Sequence, residues 1–332
     1  MGDKPWVGVS VAHRRLVERI ETIAVTDGEV LITGPSGVGK EYYARHVHDS
    51  SRRAGRPFVA VNCGSIPEEL FENELFGHVS GAFTGARPRS DGLAAAAEGG
   101  TLFLDEIDTL SSRNQVKLLR FVQEKQYRRL GESRSVRADL RIVAATNANL
   151  IDAMRQGRFR EDLLFRIRVI PLEVLPLCDR PDDIDAILNA YADWYAALYE
   201  LPRIQLSPSA LEAIHHYHWP GNVRELENCV HYLTCLRLTR PVDPSDLALL
   251  EQTRPSARGV LPSNFHRAKT AVVNDFEQAV VREALDASDG NIAQAARMVG
   301  KPRRAFFELM RRHKIPARDL EGATRRRGSP TG

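Results

Sequence analysis

The sequence predicts an α/β fold with a parallel sheet and flanking helices, followed by regions that are entirely helical. Short apolar segments typical of buried strands alternate with helical patterns over the first half of the chain. From about residue 182 the helical periodicity continues with no further strong strand pattern. A segment rich in Pro, Ser and Arg at about 252–270 indicates a linker between two helical regions.

The elements are assigned in chain order from the spacing of their apolar residues. The predicted strands are 30–33, 58–62, 101–104 and 140–145. The predicted helices are 12–25, 115–126, 182–199, 207–217, one that follows the turn 219–222, and a helical region at about 272–316. Asn222 is a candidate N-cap for the helix after that turn, because an Asn side chain accepts hydrogen bonds from N–H groups of the first turn.

The composition is that of a globular protein. The chain has 332 residues, of which 43% are hydrophobic and 27% charged. No apolar run approaches the roughly 20 residues of a membrane span, and the N-terminus lacks the pattern of a signal peptide. The four cysteines form no Cys-x-x-Cys pair, which disfavours a zinc site or a disulfide framework. These features predict a cytoplasmic protein.

Charge is distributed unevenly along the chain. Residues 290–332 contain eleven Lys or Arg and three acidic residues, a net charge of +8 within a chain whose total is +3. The preceding 289 residues therefore carry −5. A basic C-terminal region on an acidic body indicates a module that binds nucleic acid, and a solvated basic tail is the alternative.

A glycine-rich loop follows the strand 30–33 and precedes a helical pattern. Its backbone N–H groups and the helix N-terminus suit phosphate oxygens, and Lys40 reaches the β- and γ-phosphates of a nucleotide. A chance glycine turn is the alternative, but the strand context and the lysine argue against it. The predicted ATP ligands of this segment are Gly34, Pro35, Ser36, Gly37, Val38, Gly39, Lys40 and Glu41.

An acidic pair ends the strand 101–104. Asp105 is predicted to hold Mg²⁺ through water, and Glu106 to polarise the water that attacks ATP. Glu41 stands where a Ser or Thr usually contacts the magnesium, which moves metal binding toward Asp105. A helix cap is the alternative role for the pair.

Residues 81–86, Gly-Ala-Phe-Thr-Gly-Ala, follow Glu-Leu-Phe-Gly-His at 74–78. The hexapeptide resembles the signature of the bacterial enhancer-binding activators of sigma-54 RNA polymerase, which are AAA+ ATPases, and the resemblance covers about residues 6–316. It implies a P-loop α/β subdomain with a helical lid, and ATP hydrolysis coupled to promoter opening. The implied sigma-54 contacts are Gly81, Ala82, Phe83, Thr84, Gly85 and Ala86, supported by a second loop at 130–134.

The resemblance also assigns roles to polar residues near the strand ends and in the predicted lid. Asn62 matches a switch residue that hydrogen-bonds Glu106, with a turn-forming role as the alternative. Either Thr146 or Asn147 matches the sensor of the γ-phosphate, and Arg224 matches the lid arginine that touches the nucleotide. Arg160 and Arg166 match a pair of arginine fingers, and surface ion pairs with Glu161 or Asp162 are the alternative.

The basic C-terminal region contains a second resemblance. Residues 290–300 resemble the first half of a Fis-type helix-turn-helix, with Gly300 in the turn. The implied contacts to enhancer DNA are Lys301, Arg303, Arg304, Arg311 and Arg312. Residues 305–307, Ala-Phe-Phe, depart from the usual Thr-Leu pattern and leave the DNA sequence open. A dimerising helical hairpin is the alternative.

The family pattern implies a five-part organisation. The parts are an α/β subdomain at 1–172, a helical lid at 173–250, a linker at 251–271, the helix-turn-helix domain at 272–316 and a basic, disordered tail at 317–332. Arginine fingers require self-association into a ring, and a hexamer is the family norm. The early start of the core is similar to the single-core subgroup of phage-shock and type III secretion activators, whose regulator acts in trans. A nucleotide-responsive repressor and a remodeller of a different client are the other two functions considered.

Overall fold

The computed structural model describes residues 4–81, 89–247, 249, 281, 284, 285, 288, 291–301 and 303–312. Its contacts divide the chain into two units, 1–251 and 252–332. Ala82–Ala86, the predicted linker at 251–271 and the predicted tail at 317–332 lie outside the described residues.

The first unit is built on a parallel sheet. The strands of its described residues are β1 (Val30–Thr33), β2 (Phe58–Asn62), β3 (Thr101–Asp105), β4 (Gln126–Tyr127), β5 (Val136–Arg137), β6 (Arg141–Thr146) and β7 (Ile170–Glu173). Five of them form a sheet in the order β2-β3-β6-β1-β7, in which every pairing is parallel. Strands β4 and β5 form a separate antiparallel pair. All carboxyl ends of the parallel strands therefore meet at one edge, where ligands of such sheets bind.

Four of the five parallel strands lie within one residue of their predicted bounds. The apolar pattern of the sequence does not predict β7, whose four residues include Pro171. Pro171 lacks the N–H that a central strand needs, and β7 is accordingly an edge strand that pairs with β1 alone in the sheet. The two-residue strands β4 and β5 are too short to show an alternating pattern.

Helices cover both faces of the sheet and build the lid. Those of the first unit are α1 (Val11–Ala24), α2 (Lys40–Asp49), α3 (Phe71–Phe76), α4 (Gly92–Ala96), α5 (Ser112–Glu124), α6 (Leu150–Arg155), α7 (Glu161–Ile167), α8 (Asp182–Tyr199), α9 (Pro208–His216) and α10 (Asn222–Leu236). The predicted helices before 219 agree with α1, α5, α8 and α9 to within three residues. Among the helices of the described ranges, none is both long and apolar enough to cross a membrane.

The predicted N-cap of α10 is wrong. Gly221 occupies the cap position, and Asn222 is the first helical residue, with a φ of 53°. Asn tolerates this left-handed backbone better than most residues do. Its side-chain oxygen accepts the N–H of Leu177 at 2.8 Å instead of capping the helix.

The sheet is buried on both faces, which explains why its strands are continuously apolar. Leu31, Leu104 and Ala144 belong to a core cluster on one face. Val30, Ile32 and others belong to the cluster on the opposite face. The lid has its own core between α8 and α10, so it packs as a separate layer.

A buried carboxylate anchors the N-terminal segment. Asp183, in the first turn of α8, accepts the N–H groups of Val9 and Ser10 at 2.6 Å each. Its second oxygen accepts the Ser10 hydroxyl at 2.9 Å. Asp183 is fully buried, and its charge is tolerated because it is hydrogen-bonded and paired with Arg180 at 3.6 Å.

Arg180 carries the same network to the glycine-rich loop. Its guanidinium donates to the carbonyl of Val38 at 3.0 Å and to the hydroxyl of Tyr43 at 3.2 Å. The loop, α2, the N-terminal segment and the start of the lid are thus joined through the ion pair of Arg180 and Asp183.

The second unit contains two described helices, α11 (Ile292–Met298) and α12 (Arg303–Arg312). The side chain of Asn291 caps α11, and Gly300 turns the chain with a φ of 65°. Ala295 and Ala296 are buried beside Phe306 in a small core. Small side chains at this crossing allow the helices of a helix-turn-helix to approach, as the sequence indicates.

Replacing Asp183 with Asn should destabilise the protein by about 3 kcal/mol, because Arg180 keeps a buried charge without its partner. The urea midpoint, followed by circular dichroism, measures the loss. Asp193→Asn is the matched control on the same helix, since its carboxylate is 66% exposed and pairs with Arg203 at 2.7 Å. That control should cost less than about 1 kcal/mol. Equal midpoints for the two variants would contradict the anchoring role of Asp183.

Candidate active site

The candidate active site lies at the carboxyl edge of the sheet. There β1 runs into the glycine-rich loop, β3 ends at Asp105, and β6 is followed by Asn147. The register pairs Thr33 with Thr146, so the ends of these strands are level. A cleft at this edge is lined by Ser36, Gly37, Gly39, Lys40, Glu41, Tyr42, Asp105, Glu106, Asn147, Tyr191, Val223, Arg224 and Glu227.

The loop requires glycine for its backbone and for its packing. Gly37 and Gly39 have φ values of 76° and 95°, in the region that favours glycine. A Cβ on Gly37 would lie 2.2 Å from the carbonyl oxygen of Gly221 in the lid. Gly39 starts α2 with no side-chain cap, which leaves N–H groups of the first turn for an anion.

Lys40 is held within the loop that it follows. Its ammonium donates to the carbonyls of Gly34 at 2.9 Å and Pro35 at 3.1 Å. Burial lowers the pKa of Lys40, and the charge of Asp105 offsets part of that effect. The cation therefore lies in a partly desolvated site where an additional anion would be attracted strongly.

The acidic pair has a strained backbone. Asp105 accepts the N–H of Glu106 at 2.9 Å. Glu106 has φ 54° and ψ 44°, a left-handed conformation that costs energy for a residue with a side chain. The end of this side chain lies beside Gly64, since a Cβ built on Gly64 would be 2.6 Å from the Glu106 carboxylate oxygen. Glu106 thus lines the cleft from a strained backbone position.

Asn62 lies at the end of β2, opposite Asp105 in the register. Its side-chain oxygen accepts the N–H of Ser65 at 3.1 Å and caps the following turn. No hydrogen bond among the described residues joins Asn62 to Glu106, although both side chains face Gly64. The geometry shows the turn-forming role, and the switch role of Asn62 stays a prediction.

The structure distinguishes between the two candidate sensors. Thr146 is buried, donates its hydroxyl hydrogen to Asp108 and accepts the N–H of Ala148 at 3.0 Å. Its hydrogen-bonding capacity is therefore used within the fold. Asn147 lines the cleft together with Lys40. The geometry favours Asn147 as the residue that reads a terminal phosphate.

The lid is hydrogen-bonded directly to the loop. Arg224 donates from its backbone to Gly37 at 3.2 Å and from its guanidinium to the Ser36 hydroxyl at 3.3 Å. Asn222 donates to the Ser36 carbonyl at 2.9 Å. The first turn of α10 therefore closes the cleft from the lid side.

The predicted magnesium position has few protein ligands. Within the described ranges, no group of three or more His, Cys, Asp or Glu side chains could enclose a metal ion. Asp105 lines the cleft, and Glu41 is an exposed residue of α2 whose carboxylate lies 3.8 Å from Arg45. Magnesium commonly binds through one or two carboxylates, water and substrate phosphates, so this sparse arrangement fits a metal carried by the nucleotide.

Neither predicted arginine finger lines the cleft of its own chain. Arg160 precedes α7 and pairs with Asp162 through contacts of 3.0 Å and 2.7 Å, as the ion-pair alternative predicts. Its backbone N–H donates to Gln115, which fixes the start of α7 against α5. Arg166 is exposed and has no ion pair among the described side chains.

The sequence patterns do not predict an apolar pocket that lies beside the loop. Trp6, Tyr42, Tyr191 and Val223 are among its walls. Trp6 packs on His46 with ring centroids 4.8 Å apart, which holds the N-terminal segment against α2. The pocket lies beside Gly39 at the end of the loop, and Arg180 also lines it. Trp6 and its apolar neighbours were the available signal, but their distance in sequence from α8 and α10 concealed the pocket.

The glycine-rich hexapeptide begins at an exposed, supported position. Gly81 has a φ of 77°, and Ala82–Ala86 lie outside the described residues. The preceding Val79 donates its N–H to the carbonyl of Leu130 at 3.0 Å. Leu130 in turn donates to the carbonyl of Gly77 at 2.9 Å. The second loop therefore supports the base of the first.

The predicted DNA-contacting residues lie in the second unit. Arg303 and Arg311 are exposed on α12, and Lys301 is exposed in the turn before it. Arg304 and Arg312 lie within the same helix.

Three known families match consecutive parts of the chain. The sigma-54 interaction domain matches residues 6–173. The AAA+ ATPase lid domain matches residues 178–259. The Fis family of bacterial regulatory proteins matches residues 272–312.

Individual relatives share the same parts. The transcriptional regulatory protein GlrR of Escherichia coli (strain K12) is 42% identical over 307 residues, which cover 92% of this chain and 67% of GlrR. The sigma54-dependent transcriptional regulator SfnR of Pseudomonas fluorescens (strain Pf0-1) is 38% identical over 336 residues, covering 92% of this chain and 90% of SfnR. The crystal structure of NtrX from Brucella abortus in complex with ADP has a TM-score of 0.73 at 33% identity and covers 95% of this chain and 70% of that chain.

Asn147→Ala should lower kcat for ATP hydrolysis by about 10²-fold, the usual loss when one preorganised donor to a transition state is removed. Steady-state kinetics measure kcat, and a urea titration should find the stability unchanged. Thr146→Val is the matched control at the neighbouring position. It should lower the free energy of unfolding by about 1–3 kcal/mol, because Asp108 and Ala148 lose a buried partner. If Thr146→Val alone lowers kcat at unchanged stability, the assignment of Asn147 is wrong.

Proposed function

The chain belongs to the sigma-54-dependent transcriptional regulators, and from this premise we propose that it hydrolyses ATP to remodel the closed complex of sigma-54 RNA polymerase. One observation carries the proposal. A cleft lined by Lys40, Asp105, Glu106, Asn147 and Arg224 lies in the same chain as a sigma-54 interaction domain and a Fis-type DNA-binding domain. The sigma-54 match favours this function over a repressor or a remodeller of another client.

The proposed nucleotide-binding residues surround the cleft. The loop from Gly34 to Gly39 offers backbone N–H groups to the phosphates, and Lys40 supplies a positive charge. Arg224 contacts the nucleotide from the lid, and the apolar pocket behind Trp6 takes the base. NtrX, a relative with the same fold, has been crystallised with ADP and with ATP. Magnesium, when bound through Asp105 and water, neutralises charge on the phosphates.

We assign hydrolysis to the carboxylate of Glu106. It accepts a proton from the water that attacks the terminal phosphate, and its residue lines the cleft from a left-handed backbone position. Asn147 orients the same phosphate from the end of β6. Asn62, one strand away, is proposed to change partners between Ser65 and Glu106 as the nucleotide is turned over.

Arg160 and Arg166 are proposed to act on the nucleotide of a neighbouring subunit in a hexameric ring. A guanidinium suits this role because it is always charged and can hold phosphate oxygens in a bidentate manner. Phe165, between the two arginines, is 65% exposed and would lie in the proposed subunit interface with them.

The loop at 81–86 is proposed to contact sigma-54, with Phe83 as an apolar tip and Thr84 as a hydroxyl donor. The segment just before it is supported by the hydrogen bonds of Val79 and Leu130. Movement at the cleft can reach it through Asn62 and the turn that follows β2.

The proposed partners are sigma-54 RNA polymerase, enhancer DNA, further copies of this chain and a regulatory protein that acts in trans. Both the polymerase and the DNA imply action in the cytoplasm. We propose domain limits of 1–172, 173–250, 251–271, 272–316 and 317–332, which the family matches at 6–173, 178–259 and 272–312 support.

A mixture of two inactive variants should recover ATPase activity. Arg166→Ala should lose about 10³-fold in kcat, as loss of an arginine finger does in related hydrolases, and Glu106→Gln should bind ATP without hydrolysing it. When equal amounts of the two variants assemble at random, about one quarter of the interfaces join an intact Glu106 on one subunit to an intact Arg166 on its neighbour. These sites should be active. The ATPase rate is measured against the mixing ratio.

Arg168→Ala is the control for this mixture, because Arg168 is an exposed arginine at the end of α7 to which no role is assigned. It should retain the parent rate. If the two inactive variants co-assemble in a pull-down and no mixing ratio recovers activity, Arg166 does not act in trans.

Thr84→Ala should separate hydrolysis from its output. The substitution leaves the cleft intact, so the ATPase rate should stay unchanged while open-complex formation at a sigma-54 promoter is lost. Both quantities are measured on one preparation, with permanganate footprinting for the open complex. Ser80→Ala, which changes an exposed hydroxyl outside the hexapeptide, should behave as the parent. Full promoter opening by Thr84→Ala would refute the sigma-54 contact.

A further inference from the structure

The two adjacent phenylalanines of α12 have opposite environments. Phe306 is 0% exposed and packs with Met310 in the small core of the second unit. Phe307 is 52% exposed. The core therefore accounts for Phe306 and gives no reason for an aromatic ring at 307.

Phe307 shares its helix surface with basic residues. Residues four apart on an α-helix lie on the same face, so Arg303, Phe307 and Arg311 form one stripe. All three are exposed, and Lys301 is exposed just before the helix. An apolar ring in a cationic stripe is unsuited to another basic surface but is compatible with DNA, which offers phosphates along its edges and apolar methyl groups in its major groove.

We propose that Phe307 reads thymine, through contact of its ring with the 5-methyl group in the major groove. The inference rests on the proposed DNA binding by the second unit and adds a specificity-determining residue that the basic side chains cannot replace. Arginines of the stripe bind phosphate or guanine, whereas an apolar contact distinguishes thymine from the other bases because thymine alone presents a methyl group there.

Deoxyuridine provides the test, since it differs from thymidine by that methyl group alone. The full chain first selects duplexes from a random library. Fluorescence anisotropy then measures the Kd for a selected duplex in which each thymidine is replaced singly by deoxyuridine. At one or two thymidine positions of the selected duplex the parent protein should bind about fourfold more weakly, the factor expected for one methyl group removed from an apolar contact.

Phe307→Ser should bind the thymidine and deoxyuridine duplexes equally at those positions, and Phe307→Leu should keep part of the preference. The salt dependence of Kd should be unchanged in both variants, because no phosphate contact is removed. Met298→Ser is the matched control, as Met298 is 57% exposed on α11 outside the stripe, and it should keep the full deoxyuridine effect. An unchanged circular dichroism spectrum verifies that each variant is folded.

Three results would overturn the inference. If the parent discriminates at no thymidine, or if Phe307→Ser retains the full effect, Phe307 does not read the methyl group. If Phe307→Ser alters the mass in sedimentation while the deoxyuridine effect persists, the ring belongs to an interface between copies of the chain. A parent protein that selects no duplex at all would refute the proposed DNA binding itself, which is a separate outcome.

Discussion

The buried ion pair of Arg180 and Asp183 is the interaction on which the rest of the first unit depends. Asp183 holds the backbone of Val9 and Ser10, while Arg180 holds the carbonyl of Val38 in the glycine-rich loop. Burial of two charges is costly, and a nonpolar pair of equal volume could pack as well. The ion pair differs from a nonpolar pair because its hydrogen bonds are directional. They hold the N-terminal segment, the glycine-rich loop and α2 around the same cleft.

That arrangement explains how distant segments form one candidate site. The N-terminal segment supplies Trp6 to the apolar pocket, the lid supplies Arg224 to the cleft, and the sheet edge supplies Asp105 and Asn147. The cleft is closed from the lid by direct hydrogen bonds from α10 to Ser36 and Gly37. The cleft is therefore lined by both the sheet edge and the lid.

The second unit is held together by a different kind of core. Its core is small and relies on alanines at the helix crossing and on Phe306, and the described residues of α12 that are exposed include Arg303, Phe307 and Arg311. The departure of 305–307 from the family pattern thus has two parts. Phe306 fulfils the packing role of the usual leucine, and Phe307 introduces an apolar group among cations, where only a partner with both charge and apolar edges is complementary.

The sequence by itself determined the parallel α/β core, the lid, the helix-turn-helix and the phosphate loop, because each depends on local periodicity or on a short motif. Four strands and the helices α1, α5, α8 and α9 follow from these patterns. The tertiary structure alone decided that Asn222 hydrogen-bonds Leu177 and Ser36 instead of capping α10. It also decided that the Thr146 hydroxyl donates to Asp108, whereas Asn147 lines the cleft. It also revealed the edge strand β7, the apolar pocket beside Trp6 and the two environments of Phe306 and Phe307. These features depend on contacts between residues far apart in the chain, and the direction of a polar side chain is set by such partners instead of by its own type.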